Sequence, residues 1–278
     1  MARLQPETFS ALYSMEVRAG SGLGVAELRA ELSATFPEGA RVLKCTDEDY
    51  PGALLELADP PEVLCALGDL AIAERQLRVS IVGSRDASPE RREAAHDVAA
   101  DLAARGAVIV SGMAAGIDRA AHEGALSAWT PERRPGRTIA VLGTPLSFPW
   151  PPENAQLYSE ITASGLALSE CPQAEGRRFD PEERSRSLKR RNRLVAALGV
   201  GTLVMAARPG SSTLIEARAA LALGRPVLIW HEAAGEEWAR SLIAENLRDG
   251  QGRELVGVFD SARSAEQILS PWARVWWL

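Results

Sequence analysis

Four short turns and one basic run hold most of the residue types in this chain that could do chemistry. Gly83-Ser84-Arg85 follows the apolar run VSIV, and Ser111-Gly112 through Gly116 to Asp118 follows AVIV. Gly143 closes TIAVLG, and Pro209-Gly210-Ser211-Ser212-Thr213 lies just beyond TLVMAA. Glycine lets a backbone approach a ligand closely, a hydroxyl can donate or accept, and an arginine fork matches phosphate oxygens. The glycines at 112 and 116 bracket a turn that could form an anion-binding nest. Together these turns read as a phosphate-binding rim.

The basic run SLKRRNRLVAAL, residues 187–198, contains no acid. From Arg177 to Arg193 the chain carries eight Arg or Lys (177, 178, 184, 186, 189, 190, 191, 193) against three acids. That local excess of five stands in a chain of formal net charge −6. Clustered cations decide affinity for a phosphate backbone, because each contact releases counterions, whereas net charge is the wrong scale. On a helix, Arg190 and Arg193 fall on one side, and Leu194, Ala197 and Leu198 form the apolar stripe.

Catalytic and metal constellations are missing from the pattern. Asp118 and His122 stand four apart and share a helix face, but no third His or Cys lies at ligand spacing. The simpler reading has Asp118 capping the helix start and His122 hydrogen-bonding within the fold. His96 and His231 match no nucleophile arrangement, and GxSxG, GxGxxG and GxxxxGK[ST] are all missing. No catalytic residue, metal or cofactor is expected.

The elements that must position these residues follow from the spacing of apolar runs. Candidate strands are 79–83, 107–111, 138–143, 166–169, 202–207 and 226–230. Each is apolar on consecutive positions, as strands covered on both faces are. Ala-rich helices are expected at about 89–105, 117–128, 153–164, 189–198 and 212–223, with Ser88 as N-cap, Pro89 at the first position, and Gly106 and Gly224 as C-terminal stops. This alternation predicts an α/β fold with a mainly parallel, doubly wound, Rossmann-like sheet and helices on both faces. Residues 1–75 read as a short helical segment and a Pro-rich lead-in, 76–235 as the core, and 236–278 as an α/β closure with the Trp-rich tail SPWARVWWL. The tail is expected to fold back on its own core.

The 278 residues are 46% hydrophobic and 24% charged, ordinary for a globular protein. No run approaches the roughly 20 apolar residues of a membrane span, and the N-terminus shows no secretory pattern. Three scattered cysteines without CxxC spacing point to reduced thiols and a cytoplasmic protein.

In their order, IVGSR, SGMAAGIDRAAHEGAL, TIAVLG, SECP, RRNRLVAAL and STLIEARAALALGRPV resemble the DprA/Smf (DNA-processing protein A) family over roughly residues 45–270. The resemblance implies a homodimeric, non-enzymatic Rossmann-like protein that binds single-stranded DNA. It also implies protection of incoming DNA and its delivery to a RecA-type recombinase in natural transformation. Carried over by motif, Gly83, Ser84 and Arg85 would line the DNA pocket, with Ser111, Gly112 and Gly116 in the neighbouring turn and Asp118 and His122 holding it. Lys189, Arg190, Arg191, Asn192 and Arg193 would meet phosphates beside Ser211, Ser212 and Thr213. VLGTPLSFPWPPEN departs from the family pattern, with Trp150 standing where a tyrosine is usual, and no winged helix is expected after the core.

A competing function is a nucleotide phosphoribohydrolase of the LOG type, since PGSSTLIEA is similar to a PGGxGTxxE turn with Glu216 as the acid. It requires a second polar residue facing Glu216 across a nucleotide-sized pocket. A protein-binding role for Trp272, Trp276 and Trp277 is a third reading. Few aromatics lie near the motifs, so contacts to the DNA backbone are expected to dominate over contacts to bases.

Overall fold

The computed structural model describes residues 37–128, 137–171 and 181–273. Nine strands form one sheet in the order β1-β2-β6-β5-β4-β3-β7-β8-β9. The inner strands are β3 (Arg78–Gly83), β4 (Val108–Ser111), β5 (Arg137–Leu142), β6 (Leu166–Ser169), β7 (Gly201–Ala206) and β8 (Val227–Trp230). All six pair in parallel and are buried almost throughout, as their unbroken apolar runs require. Three more strands extend the sheet: β1 (Arg41–Lys44) and β2 (Val63–Gly68), where no strand was expected, and β9 (Val256–Phe259), within the expected α/β closure. β1 and β2 come from the lead-in and pair antiparallel with each other and with β6, while β9 continues in parallel beside β8. The sheet therefore runs without a break across both 75/76 and 235/236.

Helices cover both faces. On one lie α1 (Pro89–Ala104), α2 (Ile117–Ser127), α3 (Ala155–Ser164) and α7 (Ala262–Ala273). On the other lie α4 (Pro181–Leu198), α5 (Ser212–Ala222) and α6 (Glu237–Ala244). Ser88 caps α1 by accepting from the Arg91 amide at 3.3 Å, with Pro89 in the first turn. Trp272 is buried on α7, and its indole donates to the Gly224 carbonyl at 3.2 Å, so this part of the tail folds back on the core. Trp276 and Trp277 lie outside the described residues, as do Arg177, Arg178 and the helical segment expected before residue 37. No helix among the described residues is long and apolar enough to cross a membrane.

Helix α4 starts at Pro181, two turns before the expected residue 189. Its first turns, PEERSRSL, carry no apolar stripe, so periodicity could not reveal them. Its other end is fixed by two buried arginines. Arg78 donates Nε to the Leu198 carbonyl at 2.7 Å. Arg225 donates to the carbonyls of Ala196 at 3.0 Å and Gly199 at 2.9 Å, and also to Ala197. Cations at a helix C-terminus satisfy its free carbonyls and match its dipole. Burial pulls the Arg78 guanidinium down to about 10, and the Arg225 guanidinium is lowered by the same cause. A third anchor is Ser80, whose hydroxyl donates to the Val195 carbonyl at 2.7 Å.

Arg225→Met removes several of these donors at once. About 1–3 kcal/mol attends each buried group left without a partner, so urea unfolding should show a loss of at least about 2 kcal/mol.

Candidate nucleic-acid interface

Strand order reverses between β3 and β7: the chain runs outward through β4, β5 and β6 on one side and through β8 and β9 on the other. Such a switch point opens a crevice at the carboxyl ends of the strands. A cavity of about 700 Å³ occupies it. The turn after β3 supplies Gly83, Ser84, Arg85 and Asp86, and the start of α2 supplies Ala114 and Asp118. Helix α4 contributes Arg184, Ser185, Leu188, Lys189, Arg191 and Asn192. The opening of α5 adds Ser211, Ser212, Thr213 and Glu216, and Trp150 and Arg208 complete the wall.

The turns interlock through their backbones. The Ser84 amide donates to the Ala206 carbonyl at 3.0 Å, and the Ile117 amide to the Ser84 carbonyl at 3.3 Å. Gly116 (φ 79°) sits so close that a Cβ there would lie 2.4 Å from the carbonyl oxygens of Ser84 and Arg85. Met113 holds a φ of 61° unusual for a side-chain-bearing residue, and Asn154 donates to its carbonyl at 2.8 Å. Asn192 ties α4 to α5 by donating to the Ser212 carbonyl at 3.3 Å.

At the floor lies an open ionic cluster. Arg191 is 4% exposed and Glu216 6% exposed, yet both line the cavity. The Arg191 guanidinium occupies the space a side chain at residue 112 would fill, for a Cβ on Gly112 would stand 1.5 Å from its Nη1. Neither Nε nor Nη1 of Arg191, nor Oε1 of Glu216, has a hydrogen-bond partner among the described residues. Burial, reinforced by the Asp118 carboxylate, raises the Glu216 carboxyl to about 8 despite the nearby Arg191. Asp118 is raised too, by burial, although Arg191 and the backbone amides of Ala114 and Gly112 pull it back. His122 is fully buried, and burial together with Arg191 lowers it to about 3, so its imidazole is neutral.

The structure thus brings Gly83, Ser84, Arg85, Lys189, Arg191, Asn192, Ser211, Ser212, Thr213 and Asp118 to one cavity. Others take different positions. Ser111 is buried behind the wall, donating to the Ile81 carbonyl at 2.6 Å. The turn between Gly112 and Gly116 is no free anion nest, since the Ala114 amide donates to the Asp118 carboxylate at 3.3 Å. His122 Nδ1 donates to the Thr138 hydroxyl at 2.7 Å, because that hydroxyl gives its own proton to the Ile109 carbonyl. Gly143 serves as a docking point for α4, its carbonyl accepting from the Ser187 hydroxyl at 2.6 Å. Arg193 faces away from the cavity, with Nη1 and Nη2 each 2.8 Å from a Glu170 oxygen and Nε 3.1 Å from Asp59. Arg190 is exposed on the same side, 3.4 Å from Glu170.

The sequence reading missed Arg184, Ser185, Leu188, Asp86, Arg208 and the closeness of Trp150. Counting back seven residues from Arg191, and four and seven from Asn192, along a longer α4 reaches Arg184, Leu188 and Ser185. Arg208 pairs with Asp86 across the mouth. Among the described residues no group of three or more His, Cys, Asp or Glu could hold a metal.

Fold and site define a class: a Rossmann-like α/β protein with a cation-rimmed cavity at the topological switch point. Residues 41–246 match the model of the DNA recombination-mediator protein A family, and the chain belongs to that family. It is 42% identical to Protein Smf of Synechocystis over 184 residues, covering 65% of this chain and 43% of that protein. It is 31% identical to DNA processing protein DprA of Bacillus subtilis over 198 residues, 70% of this chain and 62% of the relative. The chain thus spans about half the length of these relatives. Among solved structures, DNA processing protein A of Streptococcus pneumoniae superimposes with a TM-score of 0.70 at 27% identity, covering 95% of this chain and 92% of that one. DNA processing protein A of Helicobacter pylori, which has a single-stranded DNA binding mode, gives 0.66 at 30% identity over 84% and 96%.

The floor cluster has a pH signature. Folded Glu216 keeps its proton up to about 8, while the unfolded carboxyl loses it near 4.5. Its contribution is fully present below the unfolded value and lost as pH rises to about 8. His122 acts oppositely only below its unfolded value of 6.5. Thermal unfolding should therefore show Tm falling from pH 6.5 to 8, and Glu216→Gln should flatten most of that slope.

Proposed function

We propose that this chain binds single-stranded DNA without chemical turnover, as a recombination mediator. The observation that carries the reading is the cavity rim. Arg85 and Lys189 are exposed there beside Ser84 and the hydroxyl-rich opening of α5, whose free amides and dipole favour anions. That combination suits a sequence-independent hold on phosphates. Delivery of the strand to a RecA-type recombinase during natural transformation, and pairing of two copies of the chain, are parts of the proposal that family membership supports.

A second reading keeps one specific observation. Asp118 and Arg191 stand near Glu216 in the same cavity, the polar company a nucleotide hydrolase built on Glu216 would need. Against it, several exposed cations surround the mouth, an arrangement suited to a continuous strand. Release of free base from nucleoside 5′-monophosphates would favour this second reading.

The test is fluorescence anisotropy of labelled oligo-dT across a salt series. Affinity should fall roughly tenfold or more over a few-fold increase in salt. Arg85→Ala and Lys189→Ala should each weaken binding and lower the log–log salt slope by about one. Gly112→Ala, by evicting the Arg191 guanidinium, should weaken binding while the protein stays folded by circular dichroism. A folded parent chain that leaves oligo-dT unbound at low salt would sink the reading.

A further inference from the structure

Arg193 stands in the basic run yet faces away from the cavity, and every N–H of its guanidinium is already in use. Nη1 and Nη2 each donate to a Glu170 oxygen at 2.8 Å, and Nε lies 3.1 Å from both Asp59 carboxylate oxygens. The remaining N–H groups go to the Arg190 carbonyl at 3.2 Å and the Asp59 carbonyl at 3.1 Å. With its donors engaged and no acceptor to offer, this guanidinium has nothing left for a phosphate. Its partners belong to separate pieces of the molecule. Glu170 follows β6, Asp59 lies in the lead-in between β1 and β2, and Arg190 is on α4 itself. The Glu170 side chain is 7% exposed and that of Arg193 14%, so water and salt screen the pair little.

The lead-in reaches α4 a second time. Glu56 accepts from Arg225 Nη2 at 2.9 Å, and Arg225 is one of the two arginines that hold the last carbonyls of α4. The Tyr50 hydroxyl donates to the Pro61 carbonyl at 2.8 Å and closes this segment on itself. None of the residues lining the cavity comes from the lead-in. Its leverage is geometric. Lys189 stands nine residues before Leu198 on α4. That is about 13 Å along the axis, so a tilt of about 10° would move Lys189 by about 2 Å. Anchors at one end fix the register of the helix, and a second support near the cavity fixes its tilt. An arginine fork suits that task, because it sets distance and orientation together.

We propose that Arg193 is a positioning residue of the DNA site: through Glu170 and Asp59 it sets the tilt of α4, and so the place of Lys189 and Arg191, without touching the strand. The lead-in from Tyr50 to Glu62 then belongs to the binding machinery although it lies outside the cavity. This rests on the single-stranded DNA reading, and it reverses the sign that charge alone would give. If Arg190 and Arg193 were phosphate contacts held back by Glu170, removing that carboxylate would free both cations and tighten binding. If Glu170 holds the joint, its removal loosens α4 and weakens binding.

The experiment is anisotropy of labelled oligo-dT at fixed salt for the parent chain and for Glu170→Gln, Asp59→Asn, Arg193→Lys and Arg193→Ala, each checked for folding by circular dichroism. Coupling through a positioned element corresponds to roughly two- to thirtyfold in affinity. Glu170→Gln should weaken binding within that range, and Asp59→Asn should weaken it less but in the same direction. The Asp59 side chain is 66% exposed, so Asp59→Asn keeps the fold and carries the test should Glu170→Gln not fold. Arg193→Lys should lose nearly as much as Arg193→Ala, because lysine keeps the charge and gives up the fork. In a Lys189→Ala background Glu170→Gln should cost less than in the parent, since the joint acts through the residues that α4 brings to the cavity. Unchanged or tighter binding by the folded acid variants overturns the positioning role and leaves DNA binding standing. So does full retention in Arg193→Lys, or a Glu170→Gln loss that simply adds to that of Lys189→Ala. A folded parent chain that binds no oligo-dT overturns the DNA reading, and this proposal with it.

Discussion

The anchoring of α4 by Arg78 and Arg225 is the constraint on which the site depends. One helix spans the molecule from the buried layer to the cavity, and its last carbonyls lie where water cannot reach them. Leaving them unpaired would cost more than ordering two arginines, and no short side chain could reach four successive carbonyls. With that end fixed, the register of α4 is fixed, and Lys189, Arg191 and Asn192 stand one to three turns upstream at a set angle to the sheet. The acids Glu182 and Glu183 lie in its first turn, where the dipole favours them. The dipole is thus matched at both ends, by the helix's own acids at its start and by Arg78 and Arg225 from outside it at its end, and Arg184, Lys189 and Arg191 between them line the cavity.

The floor of the cavity is less settled. Arg191 lies close enough to Asp118 and Glu216 to bias both, yet it closes no hydrogen bond with either. A cluster optimised for stability would either close the pair or replace it with apolar residues of similar volume. Gly112 leaves open the space in which the guanidinium sits, so the vacancy at one residue and the cation at another are a single device. Local conflict of this kind concentrates at functional sites, where polar groups await a ligand.

Much of the fold is legible in the sequence because the inner strands are buried on both faces. All six expected strands overlap β3 to β8 within a residue or so at each end, since VSIV, VIV, TIAVL, LALS, LVMA and VLIW can be explained by little else. The edges were not legible. β1 contains Arg41 and Lys44 and β9 contains a glycine, so neither has the unbroken apolar run of an inner strand; β2 has such a run, VLCAL, but it follows a Pro-rich stretch and reads as part of the lead-in. The site was legible where turns supply it. Gly83, Ser84 and Arg85 could be placed because a glycine after a buried strand must lie at its carboxyl end. Ser111 has the same placement but faces the core, a distinction that depends on which side of the sheet a hydroxyl points. Arg193 was misplaced because partners distant in sequence, Glu170 and Asp59, decide its direction, and no local pattern records them. Trp150 stood out as a departure from the family pattern, but its place in the cavity was not legible, because no periodicity connects it to α4, which brings Arg184 to its ring.

Cations at a rim do not by themselves favour a single strand, because duplex DNA has the higher charge density. On the proposed reading, preference for an unpaired strand must therefore come from the cavity behind the rim and not from charge alone. That cavity is lined from different elements, with Trp150 on the segment before α3, Arg191 on α4 and Glu216 on α5. Its shape depends on all three keeping their places, so a change that loosens any one of them alters the whole lining and not a single contact.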